Sequence, residues 1–192
     1  MSFIKDIYRQ ARFGQTVFSL AELSNLNNSY NGPKLNSAIK YLVRNKDLIR
    51  IAKGLYAFDD KYSIQEFANK YRTPSYISLY TVLFESGVVF QPYESIFAIS
   101  QRSETKVVRD TKIIYRKVKD EILLNPLGIE NINGVFKAII ERAICDKVYL
   151  DGLEYFDNLR VINWEKIKQI NHEVYNDNKI ISKWILKNTK QT

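Results

Sequence analysis

Lys34, Ser37, Lys40, Tyr41 and Arg44 recur at spacings that a helix of 3.6 residues per turn turns toward one side. Ammonium, guanidinium and hydroxyl groups presented by a helix suit the major groove of B-DNA. The polar face reaches base edges there while the cations neutralise phosphates. Lys34, Ser37 and Lys40 form the groove-facing set, Tyr41 and Arg44 lie further along, and Arg50 and Lys53 fall in a following segment suited to backbone phosphates. Any one of these charges is more often a solvated helix face or a turn residue. The arrangement as a whole points to DNA.

A second basic concentration lies between Arg102 and Asp120, where Arg102, Lys106, Arg109, Lys112, Arg116, Lys117 and Lys119 face only Glu104, Asp110 and Asp120. With Tyr115 interleaved, it is a candidate second nucleic-acid surface that stacks a base or follows a phosphate backbone. The preferred reading is the commoner one, a solvated sheet face whose lysines protect an edge. Catalytic chemistry is thinly supplied. His172 is the only histidine and reads as a helix-surface residue, and Cys145 is the only cysteine. No triad, His and Cys metal pattern or Gly-rich phosphate loop surrounds them, so no metal site and no cofactor is predicted. Asp110 and Glu121 with nearby lysines faintly suggest a metal-dependent nuclease, but Glu121 is followed by Ile122 and Leu123, so the expected acidic-x-lysine step is missing. Glu141 and Asp146, five apart on one helix, diverge by about 140° and do not form one site.

The elements that position the first set are legible. Ser19 with Glu22 three residues on forms a capping box for a short helix, and Pro33 after the polar turn from Asn27 to Gly32 starts a second. From Pro33 to Lys46, Leu35, Ala38, Ile39, Leu42 and Val43 make one apolar stripe. Leu48–Ala52 and Leu55–Phe58 read as strands around Lys53-Gly54, a hairpin that would be a wing. The predicted fold class is α+β, with a winged helix-turn-helix over residues 1–60 and a small mixed domain over 61–192. In the latter, Ser63 caps a helix through Lys70 and Pro74 starts another to about Glu85. Segments 96–100, 106–108, 112–118 and 121–124 form a small antiparallel sheet. Residues 136–149 form an amphipathic helix packed on it, and two helices follow near 163–173 and 178–188.

Composition agrees with a basic globular protein. The 192 residues carry 29 Lys and Arg against 21 Asp and Glu, net +8, which favours polyanions without saying which. Residues 1–60 hold nine of the basic and five of the acidic side chains, so that third of the chain carries about twice the net positive charge per residue of the rest. No apolar run approaches a membrane span and the amino terminus lacks a signal-peptide core, so a cytoplasmic protein without a membrane partner is expected. A lone cysteine fits a reducing compartment.

The segment Tyr41-Leu42-Val43-Arg44-Asn45-Lys46-Asp47-Leu48-Ile49-Arg50-Ile51-Ala52-Lys53-Gly54-Leu55-Tyr56-Ala57 resembles the wing signature of the AbiEi family of bacterial antitoxins and transcriptional regulators. Pro74-Ser75-Tyr76-Ile77-Ser78-Leu79 and Glu141-Arg142-Ala143-Ile144-Cys145-Asp146 are also similar to stretches of that family, so the likeness touches most of residues 15–150. The resemblance implies the antitoxin of a type IV (abortive infection) system. Its winged helix would repress the shared operon at promoter repeats, and its neighbouring gene would encode a nucleotidyltransferase-like toxin that is opposed without a stable complex. Two other classes stay open: an antitoxin that binds its toxin through residues 61–192, and a metal-dependent nucleic-acid enzyme.

Overall fold

The computed structural model describes residues 3–189, and the chain divides into two compact units, residues 1–71 and 72–192. In the first, helix α1 (Phe3–Ala11) buries Phe3 and Ile7 and is followed by a short strand, β1 (Val17–Ser19). Ser19 then caps α2 (Leu20–Asn25). Its hydroxyl accepts from Glu22 N at 3.2 Å, and Glu22 Oε2 accepts from Ser19 N at 2.7 Å, closing the capping box. Pro33 sits in the first turn of α3 (Gly32–Arg44), where a missing N–H removes no helical hydrogen bond.

The three-and-four spacing on α3 turns Leu35, Ile39 and Leu42 inward, where they share a core with Phe3, Ile7, Phe18, Leu23 and Leu48. Burying each such side chain is worth roughly 1.5–3 kcal/mol, so packing of the stripe, more than helix propensity, fixes the helix. Strands β2 (Ile49–Ala52) and β3 (Leu55–Ala57) pair antiparallel around Lys53-Gly54, with a register shift between Arg50 and Ala52. Gly54 takes φ +74°, which a side chain would resist. Strand β1 joins the far side of β3, giving the order β1-β3-β2, and Gly54 O accepts from Leu20 N at 2.8 Å, tying the hairpin to the start of α2.

Helix α4 (Ile64–Tyr71) belongs to this unit. The buried Glu66 carboxylate accepts from Thr16 N at 2.8 Å, Thr16 Oγ1 at 2.6 Å and Val17 N at 3.2 Å, fastening the helix to the entry of β1. The expected boundary after residue 60 and the compact-unit boundary after residue 71 differ by this helix.

The second unit is built on a six-stranded sheet of β4 (Ser75–Ile77), β5 (Ile96–Ser100), β6 (Glu104–Val108), β7 (Thr111–Lys117), β8 (Ile129–Ile132) and β9 (Val135–Ala138), in the order β6-β7-β5-β4-β9-β8. The sheet is mixed, which corrects the antiparallel expectation: β5 runs parallel to β7 and β4 parallel to β9. The chain carries β6 past β5 to the edge, so that β7, with Ile113 and Tyr115 buried, takes the inner place. Three further expectations are corrected. Ser75–Ile77 is a central strand entered from a cis Thr73–Pro74 bond, and the helix α5 is only Tyr80–Glu85. Residues 120–123 form a helical turn, α6 (Asp120–Leu123), in place of a strand. Residues 135–138 pair as a strand before helix α7 (Ile140–Asp151) begins. Helices α8 (Trp164–Tyr175) and α9 (Lys179–Thr189) complete the unit near their expected positions.

Candidate nucleic-acid interface

Lys34, Ser37, Lys40, Tyr41 and Arg44 are all exposed, and at 100° per residue they share about 120° of the surface of α3. The buried stripe occupies the opposite side, so its packing aims the polar side outward. Tyr41 stands 64% exposed and belongs to the surface. Among the described residues, no side-chain hydrogen bond or ion pair engages Ser37, Lys40, Tyr41 or Arg44. Lys34 differs: its Nζ lies 5.1 Å from the centroid of the Tyr30 ring. Asn36, also exposed on α3, was not singled out from sequence, because a lone amide beside an apolar stripe carries no charge signal.

Arg50 and Lys53 are exposed on the β2–β3 hairpin. Arg50 Nε donates to Ala52 O at 3.4 Å across the bulge, which leaves the rest of its guanidinium free to turn outward. Lys53 occupies the turn itself. Helix and hairpin together offer three cations on α3 and two on the loop side.

The basic run of the second unit is less coherent. Arg109 (φ +54°) forms the β6–β7 turn, and Lys119 precedes α6 as its N-cap; both are exposed. Lys112 and Arg116 lie on one side of β7, while Lys117 alternates to the other. Arg116 Nη2 donates to Asp151 Oδ1 at 2.7 Å. Tyr115 is 1% exposed, which overturns its proposed role in stacking a base: its ring fills the core. The five cations therefore form no single surface with an aromatic platform.

Comparison with protein-family models and with curated proteins finds no match for this chain.

One constellation joins residues that lie far apart in the sequence. The stretch Pro74–Leu79 and the stretch Glu141–Asp146 meet in the interior of the second unit. Asp146 Oδ1 accepts from Tyr76 Oη at 3.0 Å and Tyr175 Oη at 2.6 Å, and Oδ2 accepts from Ser78 Oγ at 2.7 Å. Arg142 Nη2 donates to Tyr76 Oη at 3.1 Å and Ile122 O at 2.6 Å, Nη1 donates to Leu127 O at 2.8 Å, and Nε stands 3.7 Å from Asp146 Oδ1. Burial pushes the Asp146 carboxyl up, against the pull of Arg142 and of the three hydroxyl donors. Burial likewise raises both tyrosines well above the ordinary phenol range. Arg142 and Asp146 are fully inaccessible, so the cluster holds β4, α6, α7 and α8 together and presents no reacting atom to a ligand. Glu141 turns away and accepts from Asn163 N at 2.9 Å, so the two carboxylates serve different places.

Remaining titratable groups offer little chemistry. Burial pushes the Cys145 thiol up, and the residue is buried. His172 is exposed and pairs with Asp177 at 2.9 Å, which raises its pKa. Among the described residues no group of three or more His, Cys, Asp or Glu is placed to hold a metal ion, and no helix is long and apolar enough to cross a membrane.

Proposed function

We propose that the first unit is a winged helix-turn-helix that binds double-stranded DNA, with α3 in the major groove and the β2–β3 hairpin as a wing against the backbone. The observation that carries the reading is the α3 face itself: Lys34, Ser37, Lys40, Tyr41 and Arg44 point into solvent from a helix whose other side is locked in the core. Among the described residues, most of these side chains are tied to no partner, and Arg50 and Lys53 add charge from the hairpin. A helix of this kind fits the major groove, where amines and hydroxyls contact base edges and phosphates.

Within this reading the protein acts by binding and catalyses no reaction. The likeness to AbiEi antitoxins supports a cytoplasmic repressor of its own type IV toxin–antitoxin operon, paired functionally with a nucleotidyltransferase-like toxin from the neighbouring gene. A gel-shift titration tests it, comparing duplex DNA from the protein's own promoter with unrelated duplex of equal length. The promoter is expected to bind more tightly, and affinity for both is expected to fall steeply with salt as condensed counterions are released. Equal retention of the two duplexes overturns operator-specific repression, and absence of any retention overturns the DNA reading. Co-purification of toxin with the chain would instead favour direct capture through residues 61–192.

A further inference from the structure

We propose, on the basis of the DNA reading above, that Tyr30 is a positioning residue that holds the Lys34 ammonium ready for a DNA phosphate. Tyr30 lies in the turn between α2 and α3, four residues before Lys34. Its ring stacks on Phe3, with centroids 4.6 Å apart and planes inclined by 27°, and Phe3 is buried in the core of the unit. The backbone of the turn is fixed as well: Tyr30 N donates to Asn27 O at 2.9 Å and Lys34 N to Asn31 O at 3.1 Å. The ring is therefore a rigid platform joined to the core, and Lys34 Nζ stands over it at 5.1 Å.

A cation over a ring is held by the quadrupole of the π system, which does not saturate its three N–H donors. An ammonium so placed keeps donors free for a phosphate oxygen while its long stem gives up rotamer freedom before DNA arrives. A free lysine carries about 2 kcal/mol of rotamer entropy, and groups already ordered lose less on binding. Among the described residues, Ser37, Lys40, Tyr41 and Arg44 have no such platform. Lys34 thus becomes the preset phosphate contact at the start of α3, and sequence is read further along the helix.

The test is a double-mutant cycle on the full chain, with Tyr30→Leu, Tyr30→Phe, Lys34→Ala and Tyr30→Leu/Lys34→Ala. Binding to promoter duplex and to unrelated duplex is followed by fluorescence anisotropy across a range of salt. Lys34→Ala is expected to weaken both duplexes alike and to lower the slope of log affinity against log salt by about one. Tyr30→Leu should weaken binding about 2- to 5-fold when Lys34 is present, the worth of an exposed cation–π contact, and should have no effect when Lys34 is absent. Tyr30→Phe should retain wild-type binding. Thermal melting identifies a Tyr30→Leu protein that has lost its fold, in which case Tyr30→Phe against Tyr30→Met decides. Equal weakening by the Tyr30 change with and without Lys34 overturns the proposal in favour of a purely structural ring, and so does unaltered binding by Tyr30→Leu alongside weakened binding by Lys34→Ala. Absence of DNA binding by the wild-type chain overturns the DNA reading itself, a result distinct from both.

Discussion

Side chains that point into solvent without partners are the ones whose loss reports on binding and leaves folding alone. Replacing Ser37 or Lys40 with alanine is expected to weaken promoter binding more than binding to unrelated DNA, because a lost base contact removes roughly 1–3 kcal/mol of discrimination. Lys53→Ala should weaken both equally, since a cation in a two-residue turn meets the backbone. Melting temperatures should move little in all three, as none of these residues touches the core. Unchanged promoter preference in folded Ser37→Ala and Lys40→Ala proteins would show that sequence is read elsewhere. These positions were legible in the sequence because apolar residues at helical spacing fix what remains outside. The alternative in which Tyr115 stacks a base fails for the complementary reason: alternation along β7 places it inward with Ile113, and charge on both sides of it in sequence does not alter that parity. The Asp146 cluster was out of reach, because Tyr76, Ser78 and Tyr175 join it only through tertiary folding.

Among the elements, α2 shows how a local signal and a distant one combine. Glu22 closes the capping box and also meets Lys70 Nζ at 2.9 Å, while Lys70 meets Glu66 at 3.0 Å, so one ammonium joins α2 to α4. Burial by itself would raise the Glu22 pKa, but the Ser19 N–H and Lys70 outweigh it and hold the carboxyl below 4.5. A folded-state pKa below the unfolded one adds stability that is complete above about pH 4.5 and is lost as pH falls through the lower, folded value. Chemical denaturation at pH 7 and near pH 3 should therefore show a smaller acid loss for Glu22→Gln than for wild type. Identical losses would remove Glu22 from the account. The box was readable because its residues are three apart, whereas Lys70 is 48 positions beyond Glu22 and gave no signal. Short strands escaped as well: β1 and β4 have three residues each, too few to show a period. The β8–β9 hairpin did carry a signal, Asn133-Gly134 with both residues at positive φ, but the apolar spacing of the following helix absorbed its second strand.

For the whole molecule, the division into units after Tyr71 sets where the chain can be cut. A fragment of residues 1–71 should unfold cooperatively and should exceed a 1–60 fragment by at least about 2 kcal/mol, since hydrogen bonds to a buried carboxylate are worth about 1.5–3 kcal/mol each and Glu66 makes three. Urea titration of both fragments measures the difference, and equal midpoints would show α4 to be dispensable. The strand order of the second unit bears on how the protein is made. All the partners of the first unit have been synthesised by residue 71, but β4 receives its neighbour β9 only when Lys137 reaches Ile77, sixty positions later. At about 5–20 residues per second of synthesis, a central strand waits roughly 3–12 s with one edge open. The nascent chain therefore carries a complete, basic first unit while its second unit still exposes an unpaired strand to chaperones.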